Sequence, residues 1–153
     1  MIGDQIPDQD HVLRYVKPSL LVGTHVNGGA FALRKNETRL SVNWLEILQS
    51  AGFEDPINEI RRLSRIKFAS TGKFVKLNIG QTKQHVSTAA NEAGISLDLS
   101  VLAAPLPGEP GIEPDPSHAE IHGLPDYAND AAMVVGDLLA ECILLPLIPA
   151  KVT

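Results

Sequence analysis

Between Pro105 and Pro116 the chain places five prolines and two glycines in twelve residues, PLPGEPGIEPDP. Proline lacks an amide hydrogen and has a locked φ, so neither a helix interior nor a central strand can run through this stretch. Any sheet must therefore be assembled from segments on both sides of a stiff connection. The run is too short to separate two domains, and it predicts a surface loop over 105–117 inside a single domain spanning 1–153.

The flanking periodicities predict which segments those are. Residues 1–9 read as a loose tail, and His11–Val16 as a strand ended by Lys17–Pro18. Gly28–Gly29 opens a predicted strand Ala30–Arg34, and the turn Lys35–Asn36–Glu37 joins it to Arg39–Trp44 as a hairpin. Leu45, Leu48 and Ala51 then predict a short helix stopped by Gly52. Asp55–Pro56 reads as an N-cap with proline at the first helical position, the helix running through Ile57, Ile60, Leu63 and Ile66. Lys73–Ile79 alternates strongly and predicts a strand. Thr82–Ala93 predicts a helix stopped by Gly94, Ile95–Ala103 a further strand, and Tyr127–Ile143 a last helix closed by Pro146. The order implies an α+β fold with one mixed or antiparallel sheet of about five strands and helices packed against it.

Composition narrows the class. At 44% hydrophobic and 20% charged residues the chain is ordinary for a globular protein. Aromatic residues are only 5%, so Leu, Ile, Val and Ala must supply most of the core, with Trp44 and the four Phe residues as packing anchors. The single cysteine, Cys142, cannot close an intramolecular disulfide, which fits a reducing compartment. The early acids Asp4, Asp8 and Asp10 stand where a signal peptide would be basic and then apolar. Glu141 and Pro146 interrupt the longest apolar stretch, which falls short of the ~20 residues of a membrane span. The expectation is a cytoplasmic protein with no membrane association.

Charge is unevenly placed. Residues 1–83 hold twelve of the thirteen Lys and Arg against eight acids, whereas residues 84–153 hold one Lys against ten acids. Basic density peaks at Arg61, Arg62, Arg65, Lys67, Lys73 and Lys76. Such polarity suits two oppositely charged solvated surfaces of one domain first, and otherwise an anion-binding face or a dimer in which opposite ends meet. The acidic total, with no stacking aromatics among the basic residues, argues against nucleic acid.

Three polar segments hold the candidate site residues. In His11–Val16, Arg14 shares a strand face with Val12 and Val16, so its guanidinium is drawn inward. It then needs a carboxylate, phosphate or carbonyl partner, because it cannot shed its charge. In Leu40–Glu46, Ser41 and Asn43 share one strand face, and Asn43 is placed to cap the next helix with Glu46 as its capping-box partner. In Asp115–Gly123, an extended backbone would project His118, Glu120 and His122 from one side and bury Ala119 and Ile121. Imidazoles beside a carboxylate can exchange protons near neutral pH or bind a divalent metal. Neighbours at this spacing stand roughly 6–7 Å apart, which is too far for all three to hold one ion. A two-ligand site would need Asp10, His11 or Asp115 to complete it, and no metal or other cofactor is assigned.

His118-Ala119-Glu120 is similar to the first zinc motif of nucleobase deaminases, but that family also needs Pro-Cys-x-x-Cys, and Cys142 stands alone. Phosphate-loop, dinucleotide, zincin and nucleophile-elbow motifs are absent. Taken together, the segments HVLRYVKPS (11–19), Ala30-Phe31 with LSVNWLE (40–46), and DPSHA (115–119) resemble a set of small uncharacterised bacterial proteins. That resemblance spans most of the chain in pieces. It implies a free-standing bacterial domain and brings no activity with it. The chain also resembles, more loosely, compact ADP-ribosyltransferase-like domains, in which Arg14, Ser41 and either His118 or Glu120 would form the polar set.

Two functions follow as expectations. One is a binding or interaction module with a protein partner or self-association, its contacts made by the charged surfaces and the proline-rich loop. The other is a small enzyme acting on a phosphorylated or nucleotide-like substrate. In it Arg14, His11 and Asn43 would bind the ligand, and His118, Glu120 and Ser41 would carry the chemistry.

Overall fold

A computed structural model describes residues 2–152; Met1 and Thr153, the ends of the predicted domain, lie outside the described residues. The order is β1 (His11–Val16), a 3-10 turn at Pro18–Leu20, β2 (Leu21–Val22), β3 (His25–Val26), a 3-10 turn at Gly28–Phe31, β4 (Leu40–Trp44), α1 (Leu45–Ser50) and α2 (Pro56–Leu63). Then come β5 (Lys73–Asn78), α3 (Ile79–Glu92), β6 (Ser100–Ala103), β7 (His118–His122), α4 (Ala131–Ala140) and β8 (Leu144–Pro149). Six strands form one sheet in the order β6-β7-β4-β1-β5-β8, every pair antiparallel, and β2–β3 forms a separate small hairpin. The architecture is α+β.

Strand alternation divides the apolar residues between two clusters, one on each face of the sheet. Val12, Val16, Leu40, Val42, Val75, Leu77, Ala119 and Ile121 join Val86 of α3 and Val135 and Leu139 of α4 in the larger cluster. Leu13 and Phe74 join Leu45, Leu48, Ile60 and Leu63 from α1 and α2 in the smaller one. On that second face the strand residues Ser41, Asn43, His118, Glu120 and His122 are polar. The small cluster contains no residue of β4 or β7.

Helix starts follow local chemistry. The Asp55 carboxylate accepts from Asn58 N at 3.1 Å with Pro56 in the first turn, and Asn78 Oδ1 accepts from Gln81 N at 2.9 Å. We expect Asp55→Ala to cost about 1 kcal/mol of stability, read as a lower urea midpoint at unchanged slope. An unchanged midpoint would show that tertiary packing alone holds α2.

Several expectations are corrected. The stretch predicted as strand Ala30–Arg34 begins as a 3-10 turn, so no hairpin with β4 forms; Asn27 Oδ1 accepts from Gly29 N and tightens the chain there. Only Ser100–Ala103 of the predicted Ile95–Ala103 strand pairs in the sheet, although burial still alternates through Ile95, Leu97 and Leu99. Residues 2–9 are not a loose tail. Ile6 is buried, Gly3 N donates to Ala103 O, and Ile6 N donates to Val101 O, so the segment covers the β6 edge. Helix α2 ends at Leu63, with Ile66 exposed beyond it, and Ile79 opens α3 instead of ending β5.

The last helix is shorter than predicted, and the segment after it, LLPLIP, is a sixth strand. Its prolines are tolerated because β8 lies at the sheet edge, paired only with β5. Among the described residues no helix is long and apolar enough to cross a membrane.

Candidate functional site

Pairing between β1 and β4 covers only Val12↔Trp44 and Leu13↔Asn43, whereas β1 pairs β5 at six positions. Beyond Leu13 the two strands part, and the Arg14 side chain fills the fork. Its Nε donates to the Ala30 carbonyl and its Nη1 to the Ser41 carbonyl, both at 2.7 Å. Of the partners expected for Arg14, a carboxylate, a phosphate or a carbonyl, the fold supplies two main-chain carbonyls. The two carbonyls take two of the five guanidinium N–H donors and bring no negative charge against the group. Burial lowers the Arg14 pKa to about 10, with Glu37 acting to raise it and Arg34 to lower it. The group stays charged at neutral pH.

A cavity of about 670 Å³ opens at this fork. Arg14, Lys17, Arg34 and Arg65 line it, against one carboxylate, Asp115. Arg65 Nη2 also donates to carbonyls, those of Pro107 (2.8 Å) and Glu113 (3.2 Å), and Arg34 stands 3.6 Å from Glu37. Tyr15, Phe68 and Phe74 form an aromatic wall, with ring centroids 4.9 Å apart for Tyr15–Phe68 and 5.1 Å for Phe68–Phe74. The Tyr15 hydroxyl accepts from Ala69 N at 2.9 Å, which ties the segment after α2 to the wall.

The polar strand residues supply the remaining wall. Asn43 does not cap α1: the helix has no side-chain cap, and Asn43 Nδ2 donates to Ser117 Oγ at 2.9 Å and Asp115 Oδ2 at 3.3 Å. Ser117 N and Oγ both donate to Asp115 Oδ1, so the buried carboxylate is fully engaged. Nor does Glu46 close a capping box. Its two oxygens take the main-chain N and ring Nδ1 of His11, each at 2.7 Å. In both cases a long-range partner outcompetes the local cap.

His118 is opposite Asn43 across β4 and β7, and Ser41 opposite Glu120. His118 Nδ1 lies 2.8 Å from the Ala104 carbonyl, which can only accept, so Nδ1 carries the proton and Nε2 is the basic nitrogen of the neutral ring.

Arg14, Ser41, Asn43 and His118 thus share one cavity. His11 and Glu120 do not line it. His11 is held by Glu46, and Glu120 lies between Arg39 Nε (2.9 Å) and His122 Nε2 (3.2 Å). Among the described residues no group of three or more His, Cys, Asp or Glu is placed to hold a metal ion. Burial pushes the Cys142 thiol pKa up, the opposite of what a reactive thiolate needs. Sequence reasoning missed Tyr15, Lys17, Arg34, Phe68 and Phe74. The basic density around Arg65 and the scarcity of aromatics were the signals available. The chain matches no family model, no curated protein and no solved structure.

Proposed function

We propose that this chain is a small-ligand-binding domain whose fork cavity takes an organic anion, a phosphate ester by preference. The observation that carries the reading is the charge imbalance of the lining, four cationic side chains, one of them Arg34 beside Glu37, against one carboxylate already hydrogen-bonded by Ser117 and Asn43. A cationic concavity walled by aromatic rings fits an anionic head on an apolar or flat body. Arginine matches phosphate geometry through its planar fork, and Arg14 is already oriented by its two carbonyls.

The proline-rich loop is tied back to the chain at two arginines. Arg62 Nη1 meets Glu113 Oε2 at 2.7 Å, and Arg65 holds two loop carbonyls, so the proline-rich loop is fastened to the chain next to α2. Leu106 and Asp115 of that loop line the cavity. This favours a small ligand over a docked protein. Catalysis at the same site is the second reading, favoured by the basic Nε2 of His118 beside a bound anion. A cytoplasmic setting belongs to the same proposal, supported by the unpaired Cys142.

The test is calorimetric titration of the chain with phenyl phosphate, with benzyl alcohol as the uncharged control. Phenyl phosphate is expected to bind with a Kd on the order of 0.1–1 mM, more weakly as salt rises. Arg14→Met should weaken it by about tenfold or more, the loss of a charge-assisted hydrogen bond. Equal affinity for phenyl phosphate and benzyl alcohol would sink the proposal.

A further inference from the structure

The hydrogen-bond network behind the cavity determines which atoms it presents to a ligand. Asn43 has two amide hydrogens, and its Nδ2 already donates to Ser117 Oγ and to Asp115 Oδ2. Reversing the amide would set Oδ1 against the Asp115 carboxylate, acceptor against acceptor, so the orientation is locked. What Asn43 has left is Oδ1, an acceptor with no hydrogen bond to any described residue. Its neighbour His118 is locked in the same sense. Nδ1–H donates to the Ala104 carbonyl, which in the neutral ring leaves Nε2 as an acceptor without a partner among the described residues.

Asn43 and His118 are directly paired across two antiparallel strands, and both line the cavity. Side chains so paired on one face start about 5 Å apart at Cβ. The cavity therefore pairs two adjacent acceptors with a cluster of cations. A ligand that satisfies both must carry an anion and, beside it, two hydrogen-bond donors. Those donors have to be neutral, because an ammonium or amidinium would be repelled by Arg14, Lys17, Arg34 and Arg65. Neighbouring hydroxyl groups meet that requirement.

We infer that the cavity takes a phosphorylated sugar, its phosphate on the guanidinium side and two adjacent hydroxyls donating to Asn43 Oδ1 and His118 Nε2. The inference rests on the anion-binding reading above and adds the donor pair. Tyr15, Phe68 and Phe74 then face either the apolar edge of the sugar or a base attached to it. A free sugar phosphate and a nucleotide share this chemistry.

The experiment is calorimetric titration of the full chain with two matched pairs, ribose 5-phosphate against 2-deoxyribose 5-phosphate, and AMP against 2′-deoxy-AMP. Phenyl phosphate serves as the hydroxyl-free reference. Loss of a hydroxyl from a site built to receive it should weaken binding by about tenfold or more in at least one pair. The pair that discriminates identifies the source, free sugar or nucleotide. In His118→Asn, whose amide can still donate to the Ala104 carbonyl, that ratio should fall to about one. If phenyl phosphate binds but both pairs are bound without preference, or if His118→Asn keeps the preference, the sugar inference is overturned and the anion reading stands. If none of the phosphates binds, both are overturned.

Discussion

Phe74→Ala is expected to destabilise the protein by about 3–5 kcal/mol, the largest effect of any single truncation on the smaller apolar cluster. Phe74 is 2% exposed and is the largest fully buried side chain in that cluster, which holds only seven buried residues. Its ring meets Phe68 edge-on at 5.1 Å and Tyr15 at 6.4 Å, contacts worth about 0.5–1.5 kcal/mol each beyond area burial. Removing it opens the cluster into the existing cavity and leaves Phe68 and Tyr15 without their common support. Urea unfolding should show a lower midpoint, and the thermal midpoint should fall by roughly 2–4 °C per kcal/mol. Phenyl phosphate affinity should fall too, because the aromatic wall is lost with the packing. A loss of stability below about 1 kcal/mol would mean that α1 and α2 are held by something other than this cluster.

Gly136→Ala tests the site from the opposite side of the sheet. Helix propensity alone predicts a gain of about 1 kcal/mol, since glycine is the poorer helix former. Packing predicts the reverse. A methyl group at 136 would lie 2.3 Å from the Gly28 carbonyl oxygen and 3.0 Å from its carbon, and one at Gly28 would meet the Asp137 amide nitrogen at 2.6 Å. The approach is backbone against backbone, so no side-chain rotation relieves it. Overpacking of this kind costs about 1–3 kcal/mol and more when the main chain must move, so the clash wins. We expect net destabilisation of about 2 kcal/mol. Binding should weaken as well, because Gly28–Phe31 carries the Ala30 carbonyl that orients Arg14 Nε. A variant more stable than the parent, with unchanged affinity for phenyl phosphate, would show that the turn shifts freely and does not support the site.

Much of the fold was legible because its signals are local. Alternation in Lys73–Asn78 and the Asp55–Pro56 cap depend on neighbours within a few residues, and the structure places both elements there. The common side of His118, Glu120 and His122 follows from the strand period alone, with Ala119 and Ile121 buried opposite. Where local rules failed, a distant partner had outbid them. Asn43 left its helix cap for Asp115, 72 positions away, and Glu46 turned to His11, 35 positions away. The prolines of Leu144–Pro149 read as the end of a helix because nothing in the segment announces that it lies at a sheet edge.

The sequence by itself determined an α+β class, a proline-rich connection that no central strand could cross, and an arginine in β1 that had to find an oxygen partner. Those conclusions need only the period of a strand, the geometry of proline and the permanence of the guanidinium charge. Only the tertiary structure decided what the partners were. The splaying of β1 from β4 brought Arg14 to two carbonyls instead of an acid. The register of β4 on β7 set Asn43 beside His118, and the fastening of the proline-rich loop by Arg62 and Arg65 brought Asp115 against them. A strand's period says which side chains share a face. Which strands lie next to each other, and at what offset, depends on burying two apolar clusters at once, a condition the whole chain satisfies and no segment states.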